Sequence, residues 1–157
     1  MKIRATLVAA TGCLALLPAA APADDRSLRD AGRSRDAQFE RLGERTRRAY
    51  SAWVDSGHSR RWARRLIRLN RRTARELDIV RGALLAEQPS SDGGATYKRL
   101  LLRSLRHFDA ALRWDSRGIR RFMHGRRGGA RIAWERASHH FARSRRLERR
   151  AVRAIEG

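Results

Sequence analysis

The tightest constraint on this chain is the spacing of apolar residues between positions 59 and 87. Trp62, Leu66, Leu69, Thr73, Leu77, Val80 and Leu84 recur at intervals of three and four. That spacing puts one continuous stripe on a 3.6-residue helix and is incompatible with the alternation of a half-buried strand. Residues 95–124 repeat it through Tyr97, Leu101, Leu105, Phe108 and Leu112, resuming at Ile119 and Phe122. The run Leu100–Leu102 is apolar on more than one side, so this helix is expected to touch several neighbours. Residues 130–156 carry a thinner stripe of Trp134, Ala137, Phe141, Leu147, Ala151 and Ile155, with the small Ser144 between. The thinnest stripe is Leu28, Ala31, Phe39, Leu42, Ala49 and Trp53 in residues 25–56, interrupted by Arg35.

Breaks between these segments fall at Gly57, at Gln88-Pro89-Ser90-Ser91-Asp92-Gly93-Gly94 and at Gly125-Arg126-Arg127-Gly128-Gly129. Glycine stops helices by taking up a left-handed conformation, and Ser59 is placed to cap the second segment. The predicted fold is all-α: an antiparallel up-down four-helix bundle over about 25–56, 59–87, 95–124 and 130–156. At 1.5 Å per residue each helix spans roughly 40–48 Å, and similar lengths with short links suit such a bundle.

Residues 1–23 read as an address. Lys2 and Arg4 precede an uncharged run from Ala5 to Leu17, and Ala21-Pro22-Ala23 supplies small residues just before Asp24. That order is a secretory signal peptide, and the run falls short of the ~20 residues of a membrane-spanning helix. The expectation is export with cleavage before Asp24. The alternatives are an uncleaved N-terminal anchor and lipidation at Cys13, whose preceding Ala10-Thr11-Gly12 lacks the usual leucine. Residues 24–157 contain no cysteine, which excludes a disulfide framework and a thiol nucleophile in the mature domain.

Charge is the second informative feature. The chain holds 37 basic and 16 acidic residues. Residues 24–57 are nearly balanced, with eight arginines and seven acids, whereas residues 58–157 hold 27 basic against nine acidic residues. Between His58 and Arg75 there are eight arginines and no acid. Arg61, Arg65, Arg68, Arg72 and Arg75 form a ridge at helical spacing, about 21 Å long. Arg146, Arg149, Arg150 and Arg153 form a second dense set, and Arg120, Arg121, Arg126, Arg127 and Arg131 mark the link between the last two helices. Like charges at i,i+4 cost about 0.2–0.5 kcal/mol per pair, so such a ridge lowers helix stability until anions neutralise it. Guanidinium forks bind phosphate and carboxylate in bidentate fashion, and a polyanion releases its counter-ions on binding.

Leu, Ile, Val and Phe make up 25 of the 134 residues after position 23, about 19%. That lies at the edge of the range for disordered chains. The expectation is a folded but marginal bundle whose first helix frays first. Trp62 and Trp134 are read as core; burial is also the expectation for Trp53 and Trp114, with a membrane-interface position at helix ends as the alternative. Asp55-Ser56 recurs as Asp115-Ser116 at an offset of 60, read as chance similarity in an arginine-rich chain.

Catalytic and cofactor signatures are missing. No histidine follows a glutamate by three residues, as a di-iron bundle needs, and Cys-x-x-Cys-His is absent. No Walker loop, Gly-x-Ser-x-Gly or His-Glu-x-x-His occurs. Glu135, His139 and His140 are the best of the weak metal candidates, because Glu135 and His139 share a face at i,i+4. The functional expectation is an exported, non-enzymatic helical protein without cofactor, binding an anionic polymer or anionic membrane surface through its arginines. Envelope polymer, anionic lipid head groups and nucleic acid are the partners considered. The alternatives are a structural bundle that forms homo-oligomers through the first helix and Leu100–Leu102, and a metal- or haem-binding bundle.

Overall fold

A computed structural model describes residues 25–156, so the expected signal peptide, its cleavage site and Cys13 lie outside the described residues. The chain is an all-α bundle, with no strand among the described residues. Its helices are α1 (Arg26–Arg33), α2 (Asp36–Asp55), α3 (Arg60–Ala86), α4 (Asp92–Met123) and α5 (Arg127–Glu156).

The first expected helix, 25–56, is broken in two. The Ser34 hydroxyl donates to the Ala31 carbonyl at 2.8 Å, and a new helix starts where Gln38 and Phe39 donate to the Arg35 carbonyl. Leu28 is fully buried, and a Cβ at Gly32 would collide with the Tyr97 hydroxyl, so α1 packs on α3 and comes close to α4 at Gly32. The thin stripe interrupted by Arg35 thus belongs to two helices, both packed on α3, with α1 reaching α4 as well. The buried Asp25 carboxylate accepts from the Ser90 N–H and hydroxyl and from the Ser91 hydroxyl, tying the start of α1 to the α3–α4 link. The first helix is tied at one end and packed along its apolar side.

Both glycine stops have the same geometry. Gly57 and Gly125 take φ of 63° and 73°. After α2, His58 donates to the Trp53 carbonyl and Gly57 to that of Val54; after α4, Arg126 donates to Arg121 and Gly125 to Phe122. Each is a Schellman ending, and only glycine takes that φ without a Cβ penalty. α3 ends without glycine, and Lys98 on α4 reaches across to the Leu85 and Glu87 carbonyls instead. α4 starts at Asp92 rather than 95, because Ser91 caps it by accepting from the Gly94 N–H at 2.9 Å. α5 starts at Arg127 rather than 130. Ser59 occupies the expected cap position of α3, but its hydroxyl bonds to Ser56 instead.

α4 and α5 form the most intimate helix pair. Ser104, Ala111 and Gly118 on α4 and Ala130, Ala137, Ser144 and Ala151 on α5 repeat every seven residues, and all are buried. The antiparallel register is fixed at three levels: Gly93 against the Ala154 carbonyl, Ser104 bonded to Ser144 at 2.9 Å, and His107 against His140. A seven-residue repeat of small side chains keeps the seam on one side of each helix and lets the backbones approach closely.

Two apolar clusters fill the bundle. One gathers Leu28, Leu77, Val80, Leu84, Leu101, Leu105 and Ile155. The other gathers Ala49, Trp53, Ala63, Leu66 and Ile119, with Phe122, Met123 and Trp134 packed on it. Between them lies a buried polar layer in which Asn70 donates to Asp115 at 2.7 Å and to the Ser116 hydroxyl at 3.1 Å.

Candidate functional site at the cationic end

The antiparallel run of α3, α4 and α5 brings together two stretches that are far apart in sequence. Residues 58–75 hold eight arginines and no acid, and residues 116–134 hold six arginines and no acid. The apolar cluster that joins Ala63, Leu66 and Ile67 to Ile119, Phe122 and Trp134 sets these stretches side by side in one half of the bundle. By contrast, residues 76–115 carry six basic and six acidic residues. The fold therefore concentrates fourteen arginines in one half of the molecule; in the other half the α3–α4 segment is balanced, and the second dense arginine set lies apart on α5.

All fourteen side chains are exposed. Among the described residues, only Arg131 has a carboxylate partner, Glu135 at 3.2 Å. Arg121 donates to the Gly129 carbonyl at 3.1 Å. Arg65 lies over Trp62 at 5.1 Å, and Arg117 lies over Trp114 at 4.8 Å. Arg136 contacts the Trp114 ring as well, at 4.6 Å, so this half-buried tryptophan serves as a platform for cations rather than as core.

The anticipated ridge of Arg61, Arg65, Arg68, Arg72 and Arg75 is exposed along α3, whose opposite side buries Leu66, Asn70, Thr73 and Leu77. Its edge merges into a groove that the sequence did not reveal. A cavity of about 460 Å³ runs between α3 and α4, with Arg71 and Arg75 on one wall and Arg113, Arg117 and Arg120 on the other. Asn70, Ser116 and Leu112 line it between the walls, and Asp78 and Asp109 also border it. Both aspartates are paired, Asp109 with Arg113 at 2.6 Å and Asp78 with Arg81 at 3.1 Å. Arg71, Arg75, Arg117 and Arg120 remain to meet an incoming anion. Spacing along one helix could not reveal this groove, because its second wall lies 45 residues away.

Arg146, Arg149, Arg150 and Arg153 do not join this surface. They are exposed on α5, which packs chiefly on α4 through Ala137, Ser144, Leu147 and Ala151, and Arg153 donates to the Arg149 carbonyl.

The weak metal candidates do not assemble. Glu135 pairs with Arg131, His139 is exposed, and His140 turns to His107, with Nδ1 atoms 3.0 Å apart. Burial first, then the charges of His140 and Arg143 for His107 and of His139 and Arg143 for His140, hold both imidazoles below the usual histidine range. Among the described residues no three His, Cys, Asp or Glu side chains are grouped to hold a metal ion. Leu100 and Leu102, considered as an oligomerisation surface, are half-buried against the bundle's own core.

Among the described residues no helix is long and apolar enough to cross a membrane. Comparison with protein-family models, with curated proteins and with solved structures finds no match for the chain.

Proposed function

We propose that this chain is an exported, non-enzymatic helical protein that holds an anionic partner against its arginine-rich end. Candidate partners are envelope polymers, anionic lipid head groups and nucleic acid. The observation that carries this reading is the gathering of fourteen exposed arginines, with one carboxylate partner among them, on two stretches that contain no acid. An ordinary solvated helix face interleaves both signs, as α2 does with Arg48 and Glu44 at 2.9 Å. Holding so many like charges together lowers the stability of the compact state unless anions offset them. A bound polyanion does so and releases condensed counter-ions, making affinity steeply dependent on salt.

The test is retention on heparin across a salt gradient. Tight retention that weakens steeply with ionic strength is expected, and elution at low ionic strength would contradict the reading. Replacing Arg61, Arg65, Arg68 and Arg72 by Gln should weaken retention while leaving helicity by circular dichroism unchanged or higher.

A further inference from the structure

At the far end of the arginine groove the chemistry changes. A second cavity of about 240 Å³ opens between the first turns of α3 and the last turns of α4. Ala63, Ile67 and Met123 give it apolar walls that continue the inner aromatic and aliphatic cluster. Around them stand Arg60, Arg64, Arg120 and His124, with no acid in the lining. All four are exposed, and none has a side-chain partner among the described residues. Arg120 also borders the larger groove, so the two cavities share one wall.

A bare polyanion satisfies only half of this arrangement. The backbone of a nucleic acid or polyphosphate would pair with the arginines but leave Ile67 and Met123 wet. A head group that carries an alkyl chain satisfies both parts: the anion engages the forks of Arg60, Arg64 and Arg120, and the methylenes cover the apolar walls. We propose that the anionic partner is a membrane lipid, with its phosphate held by the arginines of the cationic end and the first part of its chain in this cavity. The proposal rests on the anion-binding reading above and narrows it to one class of partner.

Met123 makes the proposal testable. The chain has two methionines, and the other is Met1, so a methyl-labelled methionine sample reports this cavity through at most two signals. The probes are dodecyl phosphate below its micelle concentration, its butyl and octyl homologues, and inorganic phosphate. The Met123 methyl signal should shift saturably with dodecyl phosphate and stay in place with inorganic phosphate. Affinity should rise with chain length, by about fourfold for each methylene that is buried. An Arg60→Gln, Arg64→Gln double variant should bind dodecyl phosphate about tenfold more weakly or worse, because two charge-assisted contacts are lost. A Met123 signal that ignores dodecyl phosphate, or that follows both phosphates equally, overturns the proposal. Heparin retention separates the two failures: retained binding leaves the anion-binding reading standing with a polymer as partner, and lost binding removes both.

Discussion

Asp115 is a buried carboxyl whose ionisation the bundle opposes. It lies in the polar layer between the two apolar clusters, where burial pushes its carboxyl up to about 6 despite hydrogen bonds from Asn70 and Trp134. A carboxyl raised in the folded state favours folding when protonated. Its stabilising contribution is complete below the unfolded value near 4 and is lost as pH rises through 6. The loss amounts to about 3 kcal/mol by pH 8. Asp115→Asn keeps a polar partner for Asn70 and removes the ionisation, so its melting temperature should fall less than wild type's between pH 4 and pH 8. A parallel fall in both proteins would show that this carboxyl is not the cause. Gly118, one turn away, supports the same layer, because a Cβ there would lie 2.5 Å from the Trp134 indole nitrogen. Gly118→Ala should displace that ring and cost about 1–3 kcal/mol in denaturant unfolding, typical of overpacking.

Among the elements, the α4–α5 hairpin explains how a chain with few large aliphatic residues folds. The Leu, Ile, Val and Phe count underestimates this core because alanine, serine and glycine do much of the packing. Ala111, Ala130, Ala133 and Ala151 are fully buried, and closely approaching backbones replace the contacts that larger side chains would make. Ala137→Leu forces the seam apart and should cost about 1–3 kcal/mol or more, whereas Ala142→Leu, on an exposed position of the same helix, should be nearly neutral. Thermal or urea unfolding of the pair checks this. Ser91→Ala removes the cap of α4 and a donor to Asp25, and should cost about 1 kcal/mol by the same assay.

Much of this level is legible in the sequence. The stripes of α3 and α4 and the glycines at 57 and 125 mark the helices and two of their ends, because both signals are local. The break at Ser34 was not legible, since it depends on Gly32 meeting Tyr97 across the bundle. The sevenfold repeat of Ala130, Ala137, Ser144 and Ala151 is present in the sequence, but a search for large apolar residues passes over it. Asp115-Ser116 looked like a chance echo because its partner, Asn70, sits on another helix.

At the scale of the whole molecule, opposing titrations set the pH profile. His107 and His140 are held below the usual range, so the stability they give is present above pH 6.5 and is lost as pH falls, when both rings charge at 3.0 Å. Asp115 acts in the reverse sense. Replacing both histidines by Gln should flatten the acid limb of stability and leave the alkaline limb in place, as read by melting temperature from pH 4 to 8.

The second property at this scale is the uneven distribution of charge. The ridge on α3 was legible as spacing, and the excess of basic residues as a count. Their union with residues 116–134 was not, because only the antiparallel packing of α3 and α4 makes them one surface. Self-repulsion there predicts that sulfate or phosphate raises the melting temperature more than chloride does at equal ionic strength.

Two fourfold variants test most directly whether anion binding resides at this end. One replaces Arg60, Arg64, Arg71 and Arg120 by Gln, and the other replaces Arg146, Arg149, Arg150 and Arg153, so each removes the same charge. The measurement is the salt concentration that releases each protein from heparin. A much larger drop for the first variant is predicted, and equal drops for the two would show that net charge alone, rather than its placement by the fold, governs binding.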